Sequence, residues 1–267
     1  MIKSEIISII NQKGGVGKTT TAVNLAAGLA LKNKKVLVID LDPQGNATTG
    51  LGMSNSENSS ETIYAVLNGE KTFLDVIKKT QFQKLDLIPS NVDLSGLEVE
   101  TAGDSRRAFI LKEQIMAYLK DFEFEYDYIF IDCPPSLSLL TVMALVASNS
   151  IIVPLQTEFF ALEGLTQLMK TIERIKINLN SELKIKGILL TMYDKRNKLS
   201  GQVEKEARDY FNEKVYSTVI PRNVRLSEAP SHGVPVLIYD KICPGSKSYF
   251  NFTEEFLNKQ ETFESAA

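Results

Sequence analysis

The densest run of residues able to do chemistry is Lys13-Gly14-Gly15-Val16-Gly17-Lys18-Thr19-Thr20. Glycines let successive backbone N–H groups turn toward an anion, and a helix opening at the end of the run adds the positive end of its dipole. A lysine at the helix start meets the β- and γ-phosphates of a nucleotide, and the hydroxyl after it ligates the magnesium that bridges them. Lys18 and Thr19 stand at those two places, with Thr20 positioned to bond a further phosphate oxygen. ATP and Mg2+ are therefore the expected cofactors.

Two carboxylate segments belong with this loop. In Val38-Ile39-Asp40-Leu41-Asp42-Pro43-Gln44-Gly45-Asn46, strand alternation points Asp40 and Asp42 to one side. Ligands of open α/β sheets sit at the carboxyl ends of strands, so both acids are expected to face the phosphates. The other use for either acid is to cap the turn that follows. Tyr128-Ile129-Phe130-Ile131-Asp132-Cys133-Pro134-Pro135 is an apolar run ending on an acid, the Walker B pattern, which places Asp132 in the magnesium shell. Such a set implies in-line transfer of a γ-phosphoryl group to water through positioning and charge neutralisation, with no covalent nucleophile. His232 is the only histidine; it lies between Pro230 and Pro235 without a nucleophile signature and reads as a turn residue.

Positioning these groups requires strands that end together. Ile6–Ile10, Val36–Leu41, Leu85–Pro89, Tyr128–Asp132, Ile151–Leu155 and Ile185–Met192 read as buried strands. Thr19–Leu31, Ala108–Leu119, Leu137–Ala147 and Leu162–Ile177 have helical spacing and length enough to return the chain for a parallel strand. The spacing predicts an α/β fold: a doubly wound, mostly parallel sheet flanked by helices. Residues 1–260 read as a single domain, with a polar surface loop at Ser54–Ser60, a last helix over Asn251–Lys259 and a fraying tail over 261–267.

Composition removes several alternatives. The chain has 267 residues, 30 basic and 33 acidic, for a formal charge of -3. No global basic field favours nucleic acid, so any such contact must be local. Two cysteines, Cys133 and Cys243, are too few and too distant for a disulfide framework or a paired metal motif. No export signal and no long apolar run are visible, and a cytoplasmic location is expected.

Lys13 together with the loop to Thr20 resembles the deviant Walker A motif of the ParA/MinD class of P-loop ATPases. The resemblance implies that Lys13 reaches across a face-to-face homodimer to the partner's ATP. It implies that the residue at Asp42 positions the attacking water, that Asp40 supports magnesium, and that the loop after Asp132 senses the γ-phosphate. Within the class, the acidic end Gln260–Ala267 does not resemble a basic membrane-targeting helix, so no membrane contact is expected. The position of Cys243 does not suit a shared iron–sulfur cluster.

Similarity to partition ATPases runs from about Ile2 to Phe256. It includes Pro154–Gly164, Thr191–Asp194 and, most specifically, Ile220-Pro221-Arg222-Asn223-Val224-Arg225-Leu226-Ser227-Glu228-Ala229-Pro230-Ser231-His232-Gly233, which resembles the chromosomal, Soj-like subgroup. By that resemblance Pro221 and Asn223 lie near the adenine. Arg196, Arg222, Arg225 and Lys247, with Lys195 and Lys198, supply a patch for nonspecific double-stranded DNA in the ATP-bound dimer, and a nucleoid-associated protein is implied. The first strand begins too early for a preceding helix-turn-helix domain. Recognition of a centromere-like site is therefore assigned to a ParB-like partner, which also stimulates hydrolysis; no arginine finger is readable within the motifs. A metabolic amide-forming ATPase and a polarity regulator acting on a surface other than DNA are the alternatives.

Overall fold

The computed structural model describes residues 4–54, 60–122 and 125–265, with side chains through Lys259. Its frame is an eight-stranded sheet of β1 (Glu5–Ile9), β2 (Val36–Asp40), β3 (Lys78–Lys79), β4 (Leu85–Ile88), β5 (Tyr128–Asp132), β6 (Ser150–Gln156), β7 (Lys184–Tyr193) and β8 (Val215–Pro221). The spatial order is β3-β4-β2-β5-β1-β6-β7-β8. Every pairing is parallel except β3 with β4. The central strands β2 and β5 are buried at every residue, as parallel strands covered on both faces must be.

Helices cover the two faces. The first, α1 (Lys18–Leu31), and the last, α6 (Pro244–Ser265), pack together on one face. Their core contains Leu25, Leu29, Tyr249, Phe252 and Phe256 against Val38, Phe130 and Ile152. The opposite face carries α2 (Ile110–Asp121), α3 (Leu139–Ala147) and α4 (Ala161–Asn178) over Ile39, Ile129 and Ile151. Between β7 and β8 runs α5 (Lys198–Phe211), which is capped by Asn197 through its side-chain bond from the Leu199 amide.

The six strands expected from sequence are present with ends moved by one residue or so. Two further strands carry no clear sequence signal. β3 is a pair of lysines, and β8 is an edge strand with an exposed Ser217 and a terminal proline, which the buried-strand pattern does not detect. The last helix starts at Pro244 rather than Asn251 and runs through Ser265, because Tyr249 joins Phe252 and Phe256 in its buried stripe. Within the expected surface loop at 54–60, residues 55–59 lie outside the described residues, as do 266 and 267 of the tail. Among the described residues no helix is long and apolar enough to cross a membrane.

Candidate nucleotide site

The glycine-rich loop joins β1 to α1 at the carboxyl end of the sheet's centre. Gly15 and Gly17 have φ of 73° and 89°, the left-handed region that only glycine enters without strain. Those turns make the loop concave. It is braced from neighbouring strands: the Thr191 hydroxyl donates to the Val16 carbonyl (2.8 Å) and the Asn11 amide group to the Pro154 carbonyl (2.8 Å). The Lys13 amide in turn donates to Asn11 Oδ1 (3.0 Å). Asn11 and Thr191 thus brace the loop; Thr191 opens the segment Thr191–Asp194 noted from sequence, without its contact, whereas Asn11 is passed over because a hydrogen bond to a loop carbonyl leaves no spacing signature.

Lys18 is buried, at 6% exposure, and its Nζ donates to the carbonyl oxygen of Lys13 at 3.1 Å. Burial lowers its pKa, while Asp132, Cys133 and Asp42 pull in the opposite direction. Lys13 is half exposed and forms an ion pair with Glu158, just after β6. Within one chain, therefore, its ammonium faces a carboxylate of its own subunit.

The acids divide into two kinds. Asp40 and Asp132 are register partners at the ends of adjacent β2 and β5, and both are fully buried. Asp40 Oδ2 accepts from the Thr48 amide (2.8 Å) and hydroxyl (2.7 Å), and Oδ1 from the Asp42 amide (3.2 Å). Burial raises its pKa to about 6 against those hydrogen bonds. Asp40 therefore anchors the turn that follows, one of the two uses open to it from sequence. Asp132 differs. Neither of its oxygens makes a hydrogen bond of good geometry, although the Thr19 hydroxyl is close enough to favour its charged form. Burial, then the charge of Asp40, raises its pKa well above the usual carboxylate range. A buried carboxylate without a donor is costly, and a cation beside Thr19 would satisfy it.

Asp42 is nearly buried, at 6% exposure, and uses Oδ1 to accept from the Gln44 amide at 3.0 Å. No group of three or more His, Cys, Asp or Glu side chains placed to hold a metal occurs among the described residues. Magnesium here would depend on Thr19, Asp132, water and the phosphates themselves, its usual manner of binding in nucleotide enzymes.

Pro221 ends β8 opposite Tyr193 of β7, and Asn223 Oδ1 caps the short helix Val224–Glu228 by accepting from the Arg225 amide (3.0 Å). The chain then folds back. Pro230 and Val234 line a cavity of about 330 Å³ together with Thr19, Thr20, Asn46 and Thr49, so the segment after Asn223 reaches the phosphate loop and the turn held by Asp40. His232 stacks on Tyr239 with centroids 4.8 Å apart, a packing role. Cys133 is buried and its thiol pKa is pushed up by burial, which leaves it inert.

Lys195, Arg196 and Lys198 follow the end of β7, Arg222 and Arg225 follow the end of β8, and Lys247 lies on the first turn of α6. Arg196, Arg222, Arg225 and Lys247 are exposed, as are Lys195 and Lys198. Arg196 is forked onto Asp194, and Arg225 meets both Glu228 and Asp240.

Comparison with known proteins agrees with this geometry. A family model described as an AAA domain matches residues 4–185. The chain is 52% identical to the chromosome partitioning protein ParA of Caulobacter vibrioides over 96% of its length and 94% of that protein. It is 49% identical to the sporulation initiation inhibitor protein Soj of Bacillus subtilis over 94% of its length and 97% of that protein. Among solved structures, the cobyrinic acid a,c-diamide synthase of Mycobacterium smegmatis with bound ATP analogue and magnesium superposes with a TM-score of 0.82 at 31% identity, covering 97% of this chain and 96% of that one.

Proposed function

The chain belongs to the ParA/Soj family of chromosome-partitioning P-loop ATPases, and from that premise we propose that it is an ATP-driven switch for moving DNA. The observation that carries the chemistry is the buried carboxylate of Asp132, without a hydrogen bond of good geometry and with the Thr19 hydroxyl beside it, next to the loop that holds Lys18. It is a cation site set at the mouth of a phosphate cradle.

In this reading the loop amides and Lys18 hold the β- and γ-phosphates of ATP. Thr19 and Asp132 would hold Mg2+, which when bound would neutralise charge on the phosphate oxygens. Asp42, with one oxygen fixed by the Gln44 amide, orients a water in line with the γ-phosphorus. The water oxygen forms the new P–O bond, the bond to the β-phosphate oxygen breaks, and the water proton leaves to solvent or phosphate, giving ADP and phosphate. Lys13 exchanges its Glu158 partner for the triphosphate of a second subunit, so that ATP closes a homodimer. Pro221 and Asn223 contact the adenine.

The ATP-bound dimer places the Arg196, Arg222, Arg225 and Lys247 surfaces of two subunits on one duplex. Phosphate contacts of this kind are independent of sequence and weaken with salt. A ParB-like partner bound at the centromere stimulates hydrolysis and releases the dimer, in a cytoplasmic, nucleoid-associated cycle. The test is retention of random-sequence duplex DNA with Mg-ATP and with Mg-ADP across a salt series. Retention with ATP alone, falling as salt rises, supports the reading. Equal retention in both states, or none, overturns it in favour of a switch acting on another surface or of an amide-forming enzyme.

A further inference from the structure

The arginines assigned to DNA do not stand alone. Arg196 makes a bidentate pair with Asp194, Nε to Oδ1 at 3.1 Å and Nη2 to Oδ2 at 3.0 Å. Its guanidinium, with a smaller share from Arg222, holds the Asp194 carboxyl down to about 2. Arg225 donates from Nη1 to Glu228 Oε2 at 2.7 Å, and its Nε lies 3.4 Å from Asp240 Oδ2. The Arg196 side chain is 90% exposed and that of Arg225 51%.

Ion pairs this exposed add little to folding stability, so stability does not account for them. Their effect on a polyanion is larger. A paired guanidinium must leave its carboxylate before it can fork onto a phosphate, and the carboxylate left behind repels the duplex. The acids Asp194, Glu228 and Asp240 thus offset Arg196, Arg222 and Arg225 at the ends of β7 and β8.

We propose that Asp194, Glu228 and Asp240 are antagonists of DNA retention, which hold Arg196 and Arg225 in ion pairs that duplex phosphates must displace and so keep a single subunit from binding. The inference rests on the DNA reading above and adds to it the residues that set its threshold. The three acids weaken the basic surface of one subunit, in which Lys195, Lys198 and Lys247 are exposed beside the paired arginines, and two subunits acting on one duplex repay the broken pairs.

The acids also hold their own turns. Asp194 Oδ1 accepts from the Arg196 amide (3.0 Å), and Asp240 Oδ1 from the Ile242 and Cys243 amides (3.1 Å each). Amide replacements keep those acceptors while removing the charge. The experiment compares full-length wild type with Asp194→Asn, with Glu228→Gln/Asp240→Asn and with the triple variant, using random-sequence duplex DNA in a salt titration with Mg-ATP and with Mg-ADP. Tighter binding by roughly threefold to tenfold per freed arginine is expected, with the slope of log affinity against log salt steeper by about one unit for each. Weak retention with ADP should emerge in the triple variant.

If wild type binds DNA and the variants bind no better, or worse, the acids position the arginines instead of restraining them and the proposal is overturned while the DNA reading stands. If neither wild type nor variants bind at low salt, the DNA reading itself fails and takes the proposal with it. Should the triple variant not fold, Asp194→Asn alone gives the same contrast through affinity and slope.

Discussion

The Nζ of Lys18 lies 3.1 Å from the carbonyl oxygen of Lys13, so the buried lysine of the loop is tied to the backbone of the lysine whose own side chain pairs with Glu158. The two side chains should fail differently when removed. Lys18→Ala loses charge-assisted contacts of about 1.5–3 kcal/mol each and should weaken ATP binding by more than about a hundredfold in isothermal titration. Near-normal affinity would remove the loop as the phosphate site.

Lys13→Gln leaves the loop backbone and the Lys18 contact in place. ATP should still bind within a fewfold of wild type, while dimer formation and hydrolysis are lost, measured by light scattering and phosphate release. Unchanged turnover would assign Lys13 to its surface pair with Glu158 and nothing more.

Asp132→Asn should change two properties in opposite directions. The nucleotide-free protein should gain about 1–3 kcal/mol, because a buried carboxylate without a well-formed hydrogen bond, next to Asp40, is replaced by a neutral group; chemical denaturation reads this. Magnesium-dependent ATP binding should fall at the same time. A loss of stability would mean that Asp132 already has a satisfied partner.

Gly187 of β7 tests the frame beneath the site. A methyl group there would collide with the ring of Tyr216, which is fully buried on β8. Gly187→Ala should lower stability by about 1–3 kcal/mol and, by shifting β8, weaken ATP binding if Pro221 and Asn223 contact the adenine as proposed. A neutral result in thermal unfolding would show that the edge strand can move.

Much of this was legible in the chain itself. Buried parallel strands such as Val36–Asp40 and Tyr128–Asp132 announce themselves as short apolar runs, and the glycine loop between a strand and a helix is specific because few other uses need those residues in that order. What lay beyond reading depends on contacts distant in sequence. Thr48 claiming the oxygens of Asp40, Thr191 bracing Val16 and Glu158 meeting Lys13 are each set by how strands are ordered in the sheet. The pairing of Arg225 with Asp240 is of the same kind. Edge strand β8 escaped because exposed Ser217 and a terminal proline dilute its apolar pattern.

The proposed switch requires that ATP join two subunits. Asp42→Ala removes the carboxylate proposed to orient water, so this variant should bind Mg-ATP without consuming it. Sedimentation velocity at micromolar protein should then show a dimer with Mg-ATP and a monomer with Mg-ADP. A monomer in both nucleotides, with ATP binding confirmed in the same sample, would contradict the account.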